Sequence, residues 1–89
     1  MQFQYEPDRI YACAPDGQLL AEVTFPTKDG VANINHTFVD PSLRGQNVAG
    51  RLLAAAAEQL QASGRKAVPT CSYAVKWFSE HPEYAHLLK

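Results

Sequence analysis

Three side chains carry groups suited to proton or acyl transfer. His36, in the stretch VANINHTFV, interrupts a face otherwise formed by Ala32, Ile34 and Phe38. An imidazole titrates near neutral pH and can act as a general base. Cys71, in VPTCSYAVKWF, falls where a strand should give way to a helix. A thiol at a helix N-terminus gains thiolate character and can serve as a nucleophile. Tyr73, two residues on, offers a phenol able to protonate a departing group. Each has a plainer alternative: His36 hydrogen-bonded within a sheet, Cys71 as a small buried apolar residue, Tyr73 buried through its ring.

A fourth feature is backbone rather than side chain. VDPSLRGQNVAGRLL leads from a strand into a long Ala- and Leu-rich segment through one Pro, two Gly and one Asn. The first amides of a helix have no internal partner and carry a partial positive charge, so Arg44, Gly45, Gln46, Asn47, Val48 and Ala49 can form an anion cradle. A simple turn explains the same composition. The loop has no Gly-Lys-Ser/Thr and lacks the glycine spacing of a dinucleotide fingerprint.

The elements that must position these groups are readable from pattern. RIYACAPDGQLLAEVTF is a two-stranded hairpin turning at Pro15, Asp16 and Gly17. After a second Asp-Gly at Asp29-Gly30, VANINHTFV is a third strand, with Ala32, Ile34, His36 and Phe38 on one side and Val31, Asn33, Asn35, Thr37 and Val39 on the other. Ala49, Leu52, Leu53, Ala56 and Leu60 form one helical stripe, ended by Ser63-Gly64. RKAVPTC is a short fourth strand whose Pro69 requires an edge, a bulge or a splayed pair. A second helix capped by Ser72 and a third beginning at Pro82 complete the order βββαβαα, an α+β fold with a mostly antiparallel sheet.

At 89 residues the chain is a single domain, and one this short should bury only about 60% of its unfolded surface. A net charge of −1 with no long single-sign run argues against nucleic-acid binding. No apolar run reaches the roughly 20 residues of a membrane span, and the N-terminus lacks the pattern of a secretory signal. Cys13 and Cys71 form no disulfide framework, and His36, Cys71 and His81 lack metal-ligand spacing. The expectation is a cytoplasmic protein with reduced thiols and no metal, monomeric because no second hydrophobic stripe demands a partner.

RGQNVA is similar to the Arg/Gln-x-x-Gly-x-Gly/Ala signature of the GNAT N-acetyltransferase superfamily, with Arg44 first and Ala49 last. HTFVDPSLRGQNVAGRLL together with VPTCSYAVKWFSEHPEY resembles the minimal single-domain GNAT-like proteins over nearly the whole chain. One position departs: the superfamily's central Gly is Asn47. Asn is the non-Gly residue that most readily takes a left-handed conformation, so the turn can survive while the side chain crowds the ligand.

The resemblance implies acetyl-CoA as cosubstrate, its diphosphate on the amides of Arg44 to Ala49. The pantetheine arm would run beside Val39 in a gap between the third and fourth strands. It also implies an amine acceptor, a protein lysine, peptide or small amine, which must be deprotonated: from a pKa of about 10.4 that costs on the order of 4–5 kcal/mol at pH 7. His36 is then the base, Cys71 the lining of the acyl pocket or a covalent acceptor, and Tyr73 the acid. His81 and Tyr84 would anchor the C-terminal segment. The alternative is a CoA-binding module without transfer.

Overall fold

The computed structural model describes residues 1–89. Seven strands and two α-helices follow in order: β1 (Gln4–Glu6), β2 (Arg9–Cys13), β3 (Leu19–Thr24), β4 (Thr27–Lys28), β5 (Val31–Ile34), β6 (His36–Val39), α1 (Val48–Ala62), β7 (Lys66–Pro69) and α2 (Ser72–Glu80). Short 3₁₀ turns occupy Pro41–Leu43 and Pro82–Leu87. The α+β architecture is the expected one. The third helix is a 3₁₀ segment rather than α-helical, and β1 and β4 are additional short strands. No helix is long and apolar enough to cross a membrane.

The strands divide into two sheets. One is antiparallel, in the order β1-β2-β3-β6; the other runs β4-β5-β7, with β5 and β7 parallel. Asp29 and Gly30 both have positive φ, 55° and 78°, the backbone that a two-residue hairpin loop between β4 and β5 needs.

VANINHTFV is therefore two strands, not one. The break is Asn35, whose N–H donates to Thr24 O at 3.3 Å, outside any ladder. One unladdered residue resets the period-2 alternation. Ala32 and Ile34 are fully buried, but His36 then faces outward, while Thr37 and Val39 pair across from the buried Val23 and Ala21. The expectation that His36 and Phe38 share a face with Ala32 and Ile34 is corrected accordingly.

One core joins the two sheets to the helices. Ile10, Val23, Phe25 and Ile34 meet Leu52, Leu53, Ala56 and Leu60 of α1, with Trp77 and Phe78 of α2 at the flank. The α1 stripe foreseen from sequence is buried throughout. Buried alanines at 21, 32, 56, 57 and 67 contribute volume sparingly, which lets α1 lie close to the strands. Both helices cover the same side, leaving Tyr11, Glu22, His36 and Phe38 on a sheet face with no helix over it.

The connection into α1 is stiffened by Asp40. Its carboxylate accepts from Ser42 Oγ at 2.5 Å and Ser42 N–H at 3.0 Å, capping the Pro41–Leu43 turn. Those bonds, chiefly the hydroxyl's, with the Arg44 charge behind them, hold the carboxyl below the ordinary aspartate range.

Two outcomes test this framework. Leu53→Ala, at a site 1% exposed, should lower the unfolding free energy by about 2–5 kcal/mol in denaturant titration. For Asp40 the folded carboxyl titrates below the unfolded one, so its contribution is present above the unfolded value and lost as pH falls through the folded one. Carboxyl ¹³C titration should find the Asp40 midpoint below that of an ordinary aspartate, and Ser42→Ala should bring it back up.

Candidate active site

The site begins where β5 and β7 stop pairing. Their parallel ladder runs from Val31 opposite Lys66 to Ile34 opposite Pro69 and ends there. Proline has no N–H to continue it, and the amides of Thr70 and Cys71 both fold onto Ile34 O, at 3.0 and 3.2 Å. From that point β6 continues alone, paired only to β3 and hence the edge strand of its sheet. The gap expected between the third and fourth strands is present as a fork with its closed end at Ile34 and Pro69.

A cleft of about 340 Å³ lies against the free side of β6, with Thr37 and Val39 on one wall, Tyr73 nearby, and Arg44, Gly45, Asn47, Val48 and Ala49 at the helix end. Gly45 and Asn47 carry the chain into α1 through left-handed conformations, φ 87° and 55°. Asn47 thus keeps the turn that the superfamily makes with Gly. The result is a row of unused donors: the amides of Gly45, Asn47, Val48, Ala49 and Gly50 donate to no protein acceptor, and the α1 ladder begins only with Arg51 N–H to Asn47 O. Such a concentration of free N–H groups at a dipole's positive end suits a diphosphate.

Cys71 is the N-cap of α2, a role assigned from sequence to Ser72, which is instead the first helical residue. The thiol sulfur accepts the Ala74 N–H at 3.4 Å and lies 3.4 Å from Thr37 Oγ1. Thus the free end of β6 and the start of α2 meet at a half-buried sulfur beside the cleft. Tyr73 is 48% exposed, its ring at the cleft and not in the core.

Two expected site residues stand apart. Gln46 is exposed and does not line the cleft. His36 lies across β6 from Thr37, on the uncovered sheet face, its side chain 52% exposed and its Nε2 3.3 Å from Glu22 Oε1. Glu22, only 15% exposed, also accepts from Arg9 Nε, so one carboxylate joins Arg9 and His36. That ion pair raises the pKa of Arg9.

Thr37 and Glu22 were not singled out from sequence. Thr37 shares the i, i+2 spacing of Val39, which was signal enough. Glu22 needed the β3–β6 register, which one sequence does not state.

A second cleft, of about 370 Å³, opens between α1 and α2 and shares Asn47 and Tyr73 with the first. Arg51 and Lys76 reach it from either side. Its apolar part is an aromatic pile in which Trp77 stacks on His81 with centroids 4.1 Å apart and on Tyr84 at 5.5 Å. The pile is pinned by His81 Nδ1–H donating to Trp77 O at 2.7 Å and by Tyr84 Oη–H donating to Glu58 at 2.6 Å. The latter bond raises the Tyr84 pKa.

Comparison with known proteins gives this geometry its context. A family model described as GCN5-related N-acetyl-transferase matches residues 10–87. The NMR structure of a Staphylococcus aureus protein assigned as a GCN5-like N-acetyltransferase superposes with a TM-score of 0.81 at 26% identity, over 99% of this chain and 87% of that one. A Pyrococcus furiosus protein assigned as an acetyl transferase gives 0.62 at 25% identity, over 82% of this chain and 56% of its own. An Agrobacterium tumefaciens protein assigned as an acetyltransferase shares the fold at 0.67 and 22% identity, over 90% of this chain and 58% of that one. None of the curated proteins compared with the chain matches it. A family match over nearly the full length, on a fold forked beside a row of free amides, places this chain in the GCN5-related N-acetyl-transferase family.

Proposed function

We propose that the protein is an acetyl-CoA-dependent N-acetyltransferase acting on an amine, either a protein or peptide lysine or a small amine. The observation that carries this is the set of unpaired amides at Gly45, Asn47, Val48, Ala49 and Gly50, at one end of a cleft whose wall is the free edge of β6. Family membership supports the class of chemistry, and these residues fit the ligand. A diphosphate satisfies the amides, an amide-bearing pantetheine arm fits an unpaired strand edge beside Val39, and the nucleotide end extends toward Arg51 and Lys76.

The chain's own groups then divide the work. The amides of the loop and of α1 hold the anionic part and so fix the thioester near Thr37, Cys71 and Tyr73. The Tyr73 hydroxyl donates a proton to the departing CoA thiolate. In a direct route the amine attacks the thioester carbonyl, the C–S bond breaks, and the proton lost by the amine goes to a base. His36 fills that role when the amine arrives from the uncovered sheet face, with Glu22 accepting the Nε2 hydrogen and leaving Nδ1 free to take a proton. In a relay route the Cys71 thiolate attacks the thioester carbonyl, the bond to the CoA sulfur breaks and CoA leaves with the Tyr73 proton. The amine then attacks acetyl-Cys71, the Cys71 C–S bond breaks to return the thiolate, and the proton lost by the amine goes back to the Tyr73 phenolate.

One observation favours a second reading, a CoA-binding module without transfer: the imidazole of His36 and the sulfur of Cys71 stand on opposite sides of β6.

Binding is tested first. Acetyl-CoA should move the amide resonances of Gly45 through Ala49, and at a hundred times its Kd it should raise the unfolding free energy by about 2.7 kcal/mol. Unmoved amides and an unchanged melting temperature would remove the ligand from the site. Transfer is tested by thiol release with a panel of amines and lysine peptides. His36→Ala should cut turnover by about a hundredfold while leaving acetyl-CoA affinity intact. Intact mass separates the routes: an added acetyl group that Cys71→Ser abolishes marks the relay, and an unmodified chain that still turns over marks direct transfer.

A further inference from the structure

Two carboxamides flank the closed end of the fork on the side that no helix covers. Asn33 and Asn35 stand on either side of Ile34, both exposed and both turned away from the core that Ala32 and Ile34 enter. Each is held by a threonine from a neighbouring segment. Thr70 Oγ1–H donates to Asn33 Oδ1 at 2.6 Å, and Thr24 Oγ1–H donates to Asn35 Oδ1 at 2.6 Å. Thr24 ends β3 and Thr70 follows β7, so the two pairs form one strip across the closed end.

In both pairs the meeting atoms are oxygens, so the hydroxyl must donate and the carboxamide must accept. That fixes which way each carboxamide faces. Both Nδ2 groups are left without a protein acceptor, and the strip presents pre-oriented donors two residues apart. Along a strand that interval is about 7 Å. Carbonyls on one side of an extended peptide recur at the same interval. The two oxygens of a carboxylate lie too close together to meet both groups, and a simple alkylamine has no acceptor for either. His36 follows Asn35 and faces the same side, which brings the proposed base to the end of the strip.

We propose that Asn33 and Asn35 are specificity-determining residues that donate from Nδ2 to main-chain carbonyls of an extended acceptor peptide. The amine acetylated is then a lysine within a peptide or protein, not a free small amine. The proposal rests on the transferase reading above. Thr24 and Thr70 are positioning residues, since they set which end of each carboxamide meets the peptide. The peptide main chain stays on the outer face while the lysine stem passes the closed end of the fork. A long, thin side chain of this kind joins an imidazole on one side of β6 to a thioester on the other.

The test compares a capped heptapeptide, lysine at its centre and alanine elsewhere, with butylamine, which copies the lysine stem alone. By thiol release, wild-type protein should favour the peptide in kcat/KM by more than about tenfold, as for two neutral hydrogen bonds. Asn33→Asp and Asn35→Asp keep an oxygen for the threonine hydroxyl but turn the donor into an acceptor, so the melting temperature should hold. Each should lower the peptide-to-butylamine ratio about fivefold, with the loss in the peptide KM. Both together should lower it about 25-fold. Binding is read separately: with CoA present and no acetyl group to transfer, the peptide should move the Asn33 and Asn35 side-chain amide resonances and butylamine should not.

Equal use of the two acceptors by wild-type protein, or an unaltered ratio in the variants, overturns the proposal. So does an equal loss on both acceptors with a lower melting temperature, which would make the two pairs merely structural. A peptide that moves the carboxamides and is never acetylated defeats the transferase reading and leaves the peptide site standing. Transfer to both amines with the carboxamides unmoved defeats this inference alone.

Discussion

The carbonyl of Ile34 is the last point that two diverging strands have in common. It accepts from both Thr70 and Cys71, and in doing so it halts β7, turns the chain into α2 and fixes Cys71 beside Thr37. With the ladder closed at Ile34 and Pro69, β6 is left with one partner and one open side. Because the Asp40–Ser42 turn steers the chain from the end of β6 straight into the loop before α1, the open strand edge and the unpaired amides border one cleft. Weaken the pivot and both lose their common geometry.

The site is made of backbone more than of side chains. Strand edge and helix start are each unsatisfied hydrogen-bonding surfaces, which a folded chain normally pairs or covers. Here both face solvent, where water satisfies them until a ligand with matching acceptors and donors replaces it. Such a design needs few specific residues, only a proline to end a ladder and two residues tolerant of positive φ. That is why a short chain can build it at all, and why 26% identity accompanies a TM-score of 0.81 over nearly the whole length.

Much of this was legible in the residues. Asp-Gly pairs marked the hairpins, the Leu and Ala stripe marked α1, and Pro69 marked the place where pairing fails. The left-handed Asn47 was foreseen because asparagine tolerates that conformation. What was not legible follows from one residue. Asn35 interrupts an alternation that looks continuous from Val31 to Val39, and whether a strand bends there depends on which neighbours it pairs with. Missing it put His36 and Phe38 on the core face and sent Thr37, together with Val39, to the opposite one. Glu22 was unreadable for a related reason. Its significance lies in two cross-strand partners, Arg9 and His36, that only register can supply. Cys71 as the cap of α2 was missed because serine is the commoner capping residue.

With helices on one side only, the outer sheet face holds Tyr11, Leu20 and Phe38 half in water. The polar trio of Arg9, Glu22 and His36 there has a task apart from any chemistry. Arg9 spreads its guanidinium over the Tyr11 ring, 3.8 Å from its centroid, while Glu22 holds it in place. An aromatic that would otherwise seek another copy of the sheet is shielded by a cation. Wettability conferred by the interlocked Arg9 and Glu22 thus stands in for a missing layer of helices.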